Sequence, residues 1–246
     1  MVNKHMQNGD SHTDAQTQTG GLHKLVAGMH QFQANVFQPQ REFFRTLADG
    51  QRPQGLFITC SDSRINPNLF TQTDPGELFI LRNIGNIVPP FSPITSGGGA
   101  AAAIEFAVAA LNVEYIVVCG HSLCGAMKGL LQPETVADLP SVRGWLAHGE
   151  SARQIVRQNY ADLDADNQMN VLVQENVLVQ LENLRTHPSV AVRLSRGDLR
   201  LFAWVYKLET GEVFAYHADE GQFVSLLETP VVPQQRLARM AAIRSI

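Results

Sequence analysis

The sequence has 246 residues, of which 44% are hydrophobic and 17% charged, and a formal net charge of −4. That length suits one compact domain with a substantial core, and the acidic balance excludes a general nucleic-acid binder, which needs a basic face. Three cysteines cannot build a secreted disulfide framework, so a reducing, cytoplasmic compartment is the simpler expectation.

Residues 1–20 are rich in Gln, Asn, Thr, Asp and Gly and contain no apolar run. They read as a disordered lead-in and not as a signal peptide. Leu22, Leu25, Val26, Met29, Phe32, Val36 and Phe37 recur at helical spacing, which predicts an N-terminal helical arm. Residues 42–48 continue in helical character and stop at Asp49-Gly50. The run 55–59, Gly-Leu-Phe-Ile-Thr, is apolar without alternation, as in a strand covered on both faces. Residues 78–81 and 115–119 read the same way.

The alanine-rich stretch 100–111 supplies a crossover helix. Residues 100–119 are mostly apolar, but Glu105, Asn112 and Glu114 interrupt them. A buried helix followed by a buried strand is expected there, with no membrane insertion. Helix is predicted over 139–160, and more strongly over 171–186, where His187-Pro188 ends it. Strands 199–206 and 212–217 join at Glu209-Thr210-Gly211 as a hairpin. Strands alternating with helices predict an α/β domain over 21–228, with a central, mostly parallel sheet flanked by helices. Residues 229–246 form a C-terminal extension.

Two of the strands run into unusual polar clusters, Cys60-Ser61-Asp62-Ser63-Arg64 and Cys119-Gly120-His121-Ser122-Leu123-Cys124-Gly125. Ligands of open parallel sheets bind outside the carboxyl ends of the strands, so Cys60, His121 and Cys124 should meet at one edge. Two thiolates and an imidazole suit zinc. Only three strong donors are found: Cys119 lies inside a strand, and His148, His187 and His217 are isolated. Structural zinc sites are normally closed by four protein ligands, whereas catalytic ones keep a position for water, so the count points to catalysis. Asp62 and Arg64 border the metal; an arginine beside the carboxylate keeps it ionised and fixed, able to accept a proton from bound water or hydroxide. The alternative is that Asp62 itself fills the fourth metal position in a resting state.

The motifs Cys60-Ser-Asp-Ser-Arg64 and Gly120-His-Ser-Leu-Cys-Gly125 together resemble the β-class carbonic anhydrases. The resemblance runs from about residue 22 to 227 and includes Pro75-Gly-Glu77, Arg82-Asn-Ile-Gly-Asn86, Ala103-Ile-Glu-Phe106, Gln174-Glu-Asn176 and Ala203-Trp-Val-Tyr206. It implies a zinc lyase that hydrates carbon dioxide reversibly to bicarbonate through zinc-bound hydroxide, with one zinc per subunit, built from paired dimers. It further implies Cys60, His121 and Cys124 as metal ligands and Asp62 with Arg64 as the catalytic dyad. Gln51 would donate to substrate oxygen across the dimer interface, the Gly125 N–H would lie near the bound water, and Phe79 and Ile84 would be apolar pocket walls. Phe106 stands where plant members carry tyrosine, and Phe57 where a bicarbonate-inhibited subgroup carries tryptophan, so the open-site, plant-like subgroup is the nearer match.

Other readings make different demands. Cysteine phosphatases need C-x5-R, whereas Cys60 to Arg64 is C-x3-R, and no Lys-Ser/Thr follows Gly125 to complete a phosphate loop. A thiol hydrolase would survive chelation; a scaffolding zinc module would have a closed site. Carbon disulfide or carbonyl sulfide are further substrates within the family. The extension holds Arg236, Arg239 and Arg244 with Leu237, Met240 and Ile243, the makings of a short basic amphipathic helix. It is a candidate docking segment for a carboxysome scaffold protein, which would make the location carboxysomal; packing on another subunit is the plainer alternative.

Overall fold

A computed structural model of the chain describes residues 13–93 and 98–228. The expectations for residues 1–12, and for a basic helix within 229–246, lie outside them. The chain divides into two units at Gln51.

The first unit holds α1 (Thr13–Phe32), a π-helical turn (Gln33–Phe37) and α2 (Arg41–Ala48). The α1 helix starts inside the stretch whose composition reads as a lead-in. The Phe44 ring meets Phe32 at 5.6 Å and Phe37 at 5.2 Å, tying α2 back onto α1. Leu22, Leu25, Val26 and Met29 share one face of α1, and each is at least 46% exposed.

The second unit is a six-stranded sheet in the order β2-β1-β3-β4-β5-β6. Strands β1 (Gly55–Cys60), β2 (Leu78–Asn83), β3 (Tyr115–His121) and β4 (Arg200–Tyr206) are parallel, and β5 (Val213–His217) and β6 (Gln222–Ser225) antiparallel. Every residue of β1 is buried, as are all but the first of β3: Leu56, Ile58, Ile116 and Val118 face the main core, and Phe57, Val117 and Cys119 form a smaller cluster with Phe70, Trp204 and Tyr206 on the other face. The hairpin falls where expected: Lys207 N donates to the Glu212 carbonyl at 2.8 Å, and Gly211 supplies a φ of 76° in the turn. Strand β6 was not anticipated; its four residues are too short to show a period.

The helices are α3 (Pro67–Thr71), α4 (Gly98–Glu105), α5 (Gly125–Leu131), α6 (Pro140–Leu146), α7 (Glu150–Asn159), α8 (Ala165–Arg185) and α9 (Pro188–Ser195). The crossover expected over 100–111 is α4 followed by a π-helical turn at Phe106–Ala110. The single helix expected over 139–160 is two, α6 and α7, separated by a 3-10 turn ending at Gly149. Gly149 is tightly packed at this break: a Cβ there would sit 2.8 Å from Leu130 Cδ2. Among the described residues no helix is long and apolar enough to cross a membrane.

Helix α8 organises one face of the sheet. Asp164 caps it by accepting from Asn167 N at 2.8 Å, satisfying one of the free amides of the first turn. It buries Leu172, Val173, Asn176, Val177, Gln180 and Leu184 and ends just before His187-Pro188, as the sequence predicts. Where it crosses β3 there is room only for glycine: a Cβ on Gly120 would lie 2.8 Å from Val177 Cγ2 and 3.1 Å from Val173 Cγ1. Gly120→Ala should therefore cost about 1–3 kcal/mol by overpacking, read as a lowered thermal midpoint; an unchanged midpoint would mean the helix yields freely.

Candidate metal centre and active site

Parallel pairing sets the site. Thr59 of β1 stands opposite Cys119 of β3, so Cys60 and His121 leave the sheet at the same edge and one step apart. Cys124 returns to them through a tight turn in which Leu123 takes the left-handed conformation, φ 55°. One donor atom each from Cys60, His121 and Cys124 lies within 4.8 Å of the other two, and all three residues are buried. The two sulfurs are 3.9 Å apart.

The tautomer of His121 follows from its neighbour. Nδ1 lies 2.8 Å from the Ser122 carbonyl oxygen, which can only accept, so Nδ1 carries the proton and Nε2 the lone pair. Nε2 is buried and has no hydrogen-bond partner. An orphaned basic nitrogen beside two thiols is a costly arrangement for a protein alone and an ordinary one for a metal ligand.

Burial and proximity separate the thiols. The Cys60 thiol is held well below its usual range, first by the hydrogen bond from Cys124 and also by the Gly85 and Asp62 amides, against the opposing effect of burial. Cys124 is pushed up, as the donor of that shared hydrogen bond and then by burial. The pair thus shares one proton, and a dication is what would release it. Cys119 differs: wholly buried, its thiol is pushed up to about 12 by burial, and it packs as the small apolar residue the sequence suggests.

Asp62 sits at the rim. Arg64 grips it with Nε on Oδ1 at 2.9 Å and an NH2 on Oδ2 at 2.7 Å, and Oδ2 lies 3.9 Å from His121 Nε2. The Arg64 guanidinium holds the carboxyl far below the ordinary carboxylate range. Arg64 also donates to the Leu123 carbonyl at 3.1 Å, so one side chain joins both motif loops. Arg82, to which the sequence assigns no role, donates to the Cys60 carbonyl at 3.1 Å and the Asp62 carbonyl at 2.7 Å. Nothing in local spacing announces this clamp, since its partners are twenty residues away. Ser122 is a similar omission: its hydroxyl donates to the Glu209 carboxylate and accepts from Leu208 N at 2.9 Å.

The remaining candidates are distributed unevenly. Gly125 opens α5 directly after Cys124, and a Cβ there would meet nothing within 4 Å. Ile84 follows β2 at the same sheet edge and is 44% exposed. Phe79 is not brought to the triad within this chain. It pairs with Leu56, four register steps from the Cys60–Asn83 pair, about 13 Å along the strand, and its ring contacts Phe106 at 5.9 Å. Gln51 is an exposed residue at the end of the first unit. His187 bonds the Pro89 carbonyl at 3.0 Å, and His148 packs edge-on against Trp145, so both are engaged structurally.

Comparison with known proteins identifies the family of the chain. The family model described as carbonic anhydrase matches residues 55–213. A carbonic anhydrase of Synechococcus elongatus is 47% identical over 85% of this chain and 77% of the relative. The solved β-carbonic anhydrase CcaA is 46% identical with a TM-score of 0.81, covering 84% of this chain and 92% of that one. A structure from work on two tetrameric β-carbonic anhydrases of Sordaria macrospora is 28% identical, with a TM-score of 0.71, over 81% and 98%. The chain belongs to the β-class carbonic anhydrases and is an enzyme of that kind.

The carboxylate–guanidinium pair generates a test with a definite sign. The bidentate partner favours the ionised form of Asp62, so in Arg64→Ala its pKa should rise toward the ordinary value of about 3.9. The acid limb of the pH–rate profile should then move to higher pH; an unmoved limb would mean that Asp62 does not govern it.

Proposed function

We propose that the chain binds one zinc ion per subunit through Cys60, His121 and Cys124 and uses it to hydrate carbon dioxide reversibly to bicarbonate and a proton. One observation carries the most weight: the buried, unpartnered Nε2 of His121 beside two sulfurs 3.9 Å apart. Sulfur and nitrogen donors suit zinc, and three of them keep a fourth position for water. When bound, zinc supplies the Lewis acidity that brings the pKa of water from ~15.7 toward ~7 in the most acidifying sites.

The side chains then divide the work. Ionised and fixed by Arg64, Asp62 accepts the hydrogen of the attacking oxygen and so turns a lone pair toward the carbon. The Gly125 N–H, at the start of α5, donates to the oxygen on which charge develops. Ile84 offers an apolar wall for a non-polar gas. Gln51 and Phe79, in our proposal, are lent by one protomer to the site of its partner, since strand register keeps Phe79 from its own triad. The apolar face of α1, exposed along Leu22, Leu25, Val26 and Met29, supports a homodimer or dimer-based assembly that covers it. Three free cysteines suit a reducing cytoplasm.

Cys60 and Cys124 as thiolates cancel both positive charges of the ion, so its water should be less acidic than beside three neutral imidazoles. Turnover should accordingly climb toward alkaline pH, and a flat profile would count against this ligand set. The decisive measurement is zinc stoichiometry together with carbon dioxide hydration, for the parent and for Cys124→Ser. We expect the variant to lose both. Full turnover in a chelated, metal-free sample would sink the proposal and favour thiol chemistry instead.

A further inference from the structure

Helix α8 buries two polar side chains within an otherwise apolar stripe: Asn176 is 1% exposed and Gln180 fully buried. Burying amides costs free energy unless every group is paired, so their partners disclose what they hold. Asn176 Nδ2 donates to the Gly85 carbonyl at 3.1 Å. Its Oδ1 accepts from Gln180 Nε2 at 2.9 Å, and Gln180 Oε1 accepts from Val88 N at 2.8 Å and from Asn183 Nδ2 at 3.1 Å. The amide orientation of Asn176 is forced, because a carbonyl oxygen can only accept. The network reaches the segment 83–88 at the Gly85 carbonyl and the Val88 N–H, and most of that segment forms no strand.

Gly85 is the point of that segment nearest the candidate metal ligands. Its N–H donates to Cys60 Sγ at 3.4 Å. The carbonyl of the same peptide group belongs to Ile84 and accepts from Trp145 Nε1 at 2.8 Å. The two carbonyls flanking the Gly85 Cα are thus gripped by two helices, one by α6 through Trp145 and one by α8 through Asn176. A hydrogen bond received by the carbonyl also polarises the N–H of its own peptide and strengthens what that N–H donates. A side chain at Gly85 would be strained: its φ is 76°, and a Cβ would lie 3.0 Å from Ala126 Cβ and 3.1 Å from Met127 Cε.

We propose that Trp145 and Asn176 are positioning residues that aim the Gly85 N–H at the Cys60 sulfur and thereby set how tightly, and how covalently, that sulfur holds the metal. The inference rests on the metal site proposed above. Neither side chain touches substrate. Gln180 supports Asn176 from behind, and its removal should act through Asn176.

Two near-isosteric variants isolate the effect. Trp145→Phe keeps the ring and deletes the Nε1 donor; Asn176→Leu keeps about the same volume and deletes the donor to Gly85 without adding a buried carboxyl, which would protonate and donate in its place. Zinc affinity would be measured by chelator competition, and the thiolate-to-metal charge-transfer absorption recorded on the cobalt(II)-substituted protein. Each variant should weaken zinc binding about tenfold and move the charge-transfer band to longer wavelength, because a sulfur relieved of an N–H donor gives up electron density more readily. Leu172→Ala, a fully buried apolar change in α8, controls for simple loss of stability. It should lower the thermal midpoint while leaving affinity and absorption at parent values. If Trp145→Phe and Asn176→Leu match the parent in both readouts, the positioning role is overturned while the metal site stands. If the parent itself binds no metal, the underlying site fails instead.

Discussion

Two sulfurs and one imidazole nitrogen are buried within 4.8 Å of each other at the carboxyl end of a parallel sheet. Without a cation this cluster cannot ionise fully: two thiolates in a poorly solvated pocket repel, so they keep one proton between them. The opposite displacements of Cys60 and Cys124 express that conflict. Much of the surrounding architecture serves to impose it. The parallel pairing of β1 with β3 brings Cys60 beside His121, the left-handed Leu123 returns Cys124 to the same point, and the bare Gly120 lets α8 press against the strand that carries the histidine.

The rim is arranged so that charge is spent in one place. Asp62 is the acidic group beside the His121 nitrogen, and Arg64 occupies both of its oxygens. Arg82 holds the same loop by its carbonyls, leaving the carboxylate to Arg64. Two arginines therefore do different work on one short segment: one fixes an ionisation state, the other a backbone path.

What could be read from the sequence follows from what is local. Strands 55–60 and 115–121 were legible because burial on both faces demands unbroken apolar runs; the run at 78–81 read the same way although β2 is a half-buried edge strand, and the cluster of Cys60, His121 and Cys124 was legible because polar residues interrupt two such runs. The division of 139–160 was not announced by the sequence, which carries no proline between Pro140 and Tyr160; the break is a 3-10 turn ending at Gly149. The roles of Arg82, Ser122 and Asn176 were hidden because each acts through a hydrogen bond spanning twenty to about ninety residues. The place of Phe79 follows only from strand register, which no single segment encodes.

The turn between β4 and β5 ordinarily would be regarded as expendable, an exposed connection where insertions are absorbed at little cost. Here Ser122, whose carbonyl fixes the His121 ring, is itself anchored to that turn by Leu208 N and the Glu209 carboxylate. A reporter domain or epitope spliced between Lys207 and Glu212 would consequently pull on an imidazole it never meets. Surface remodelling of this enzyme is safer at sites that share no hydrogen bond with Ser122.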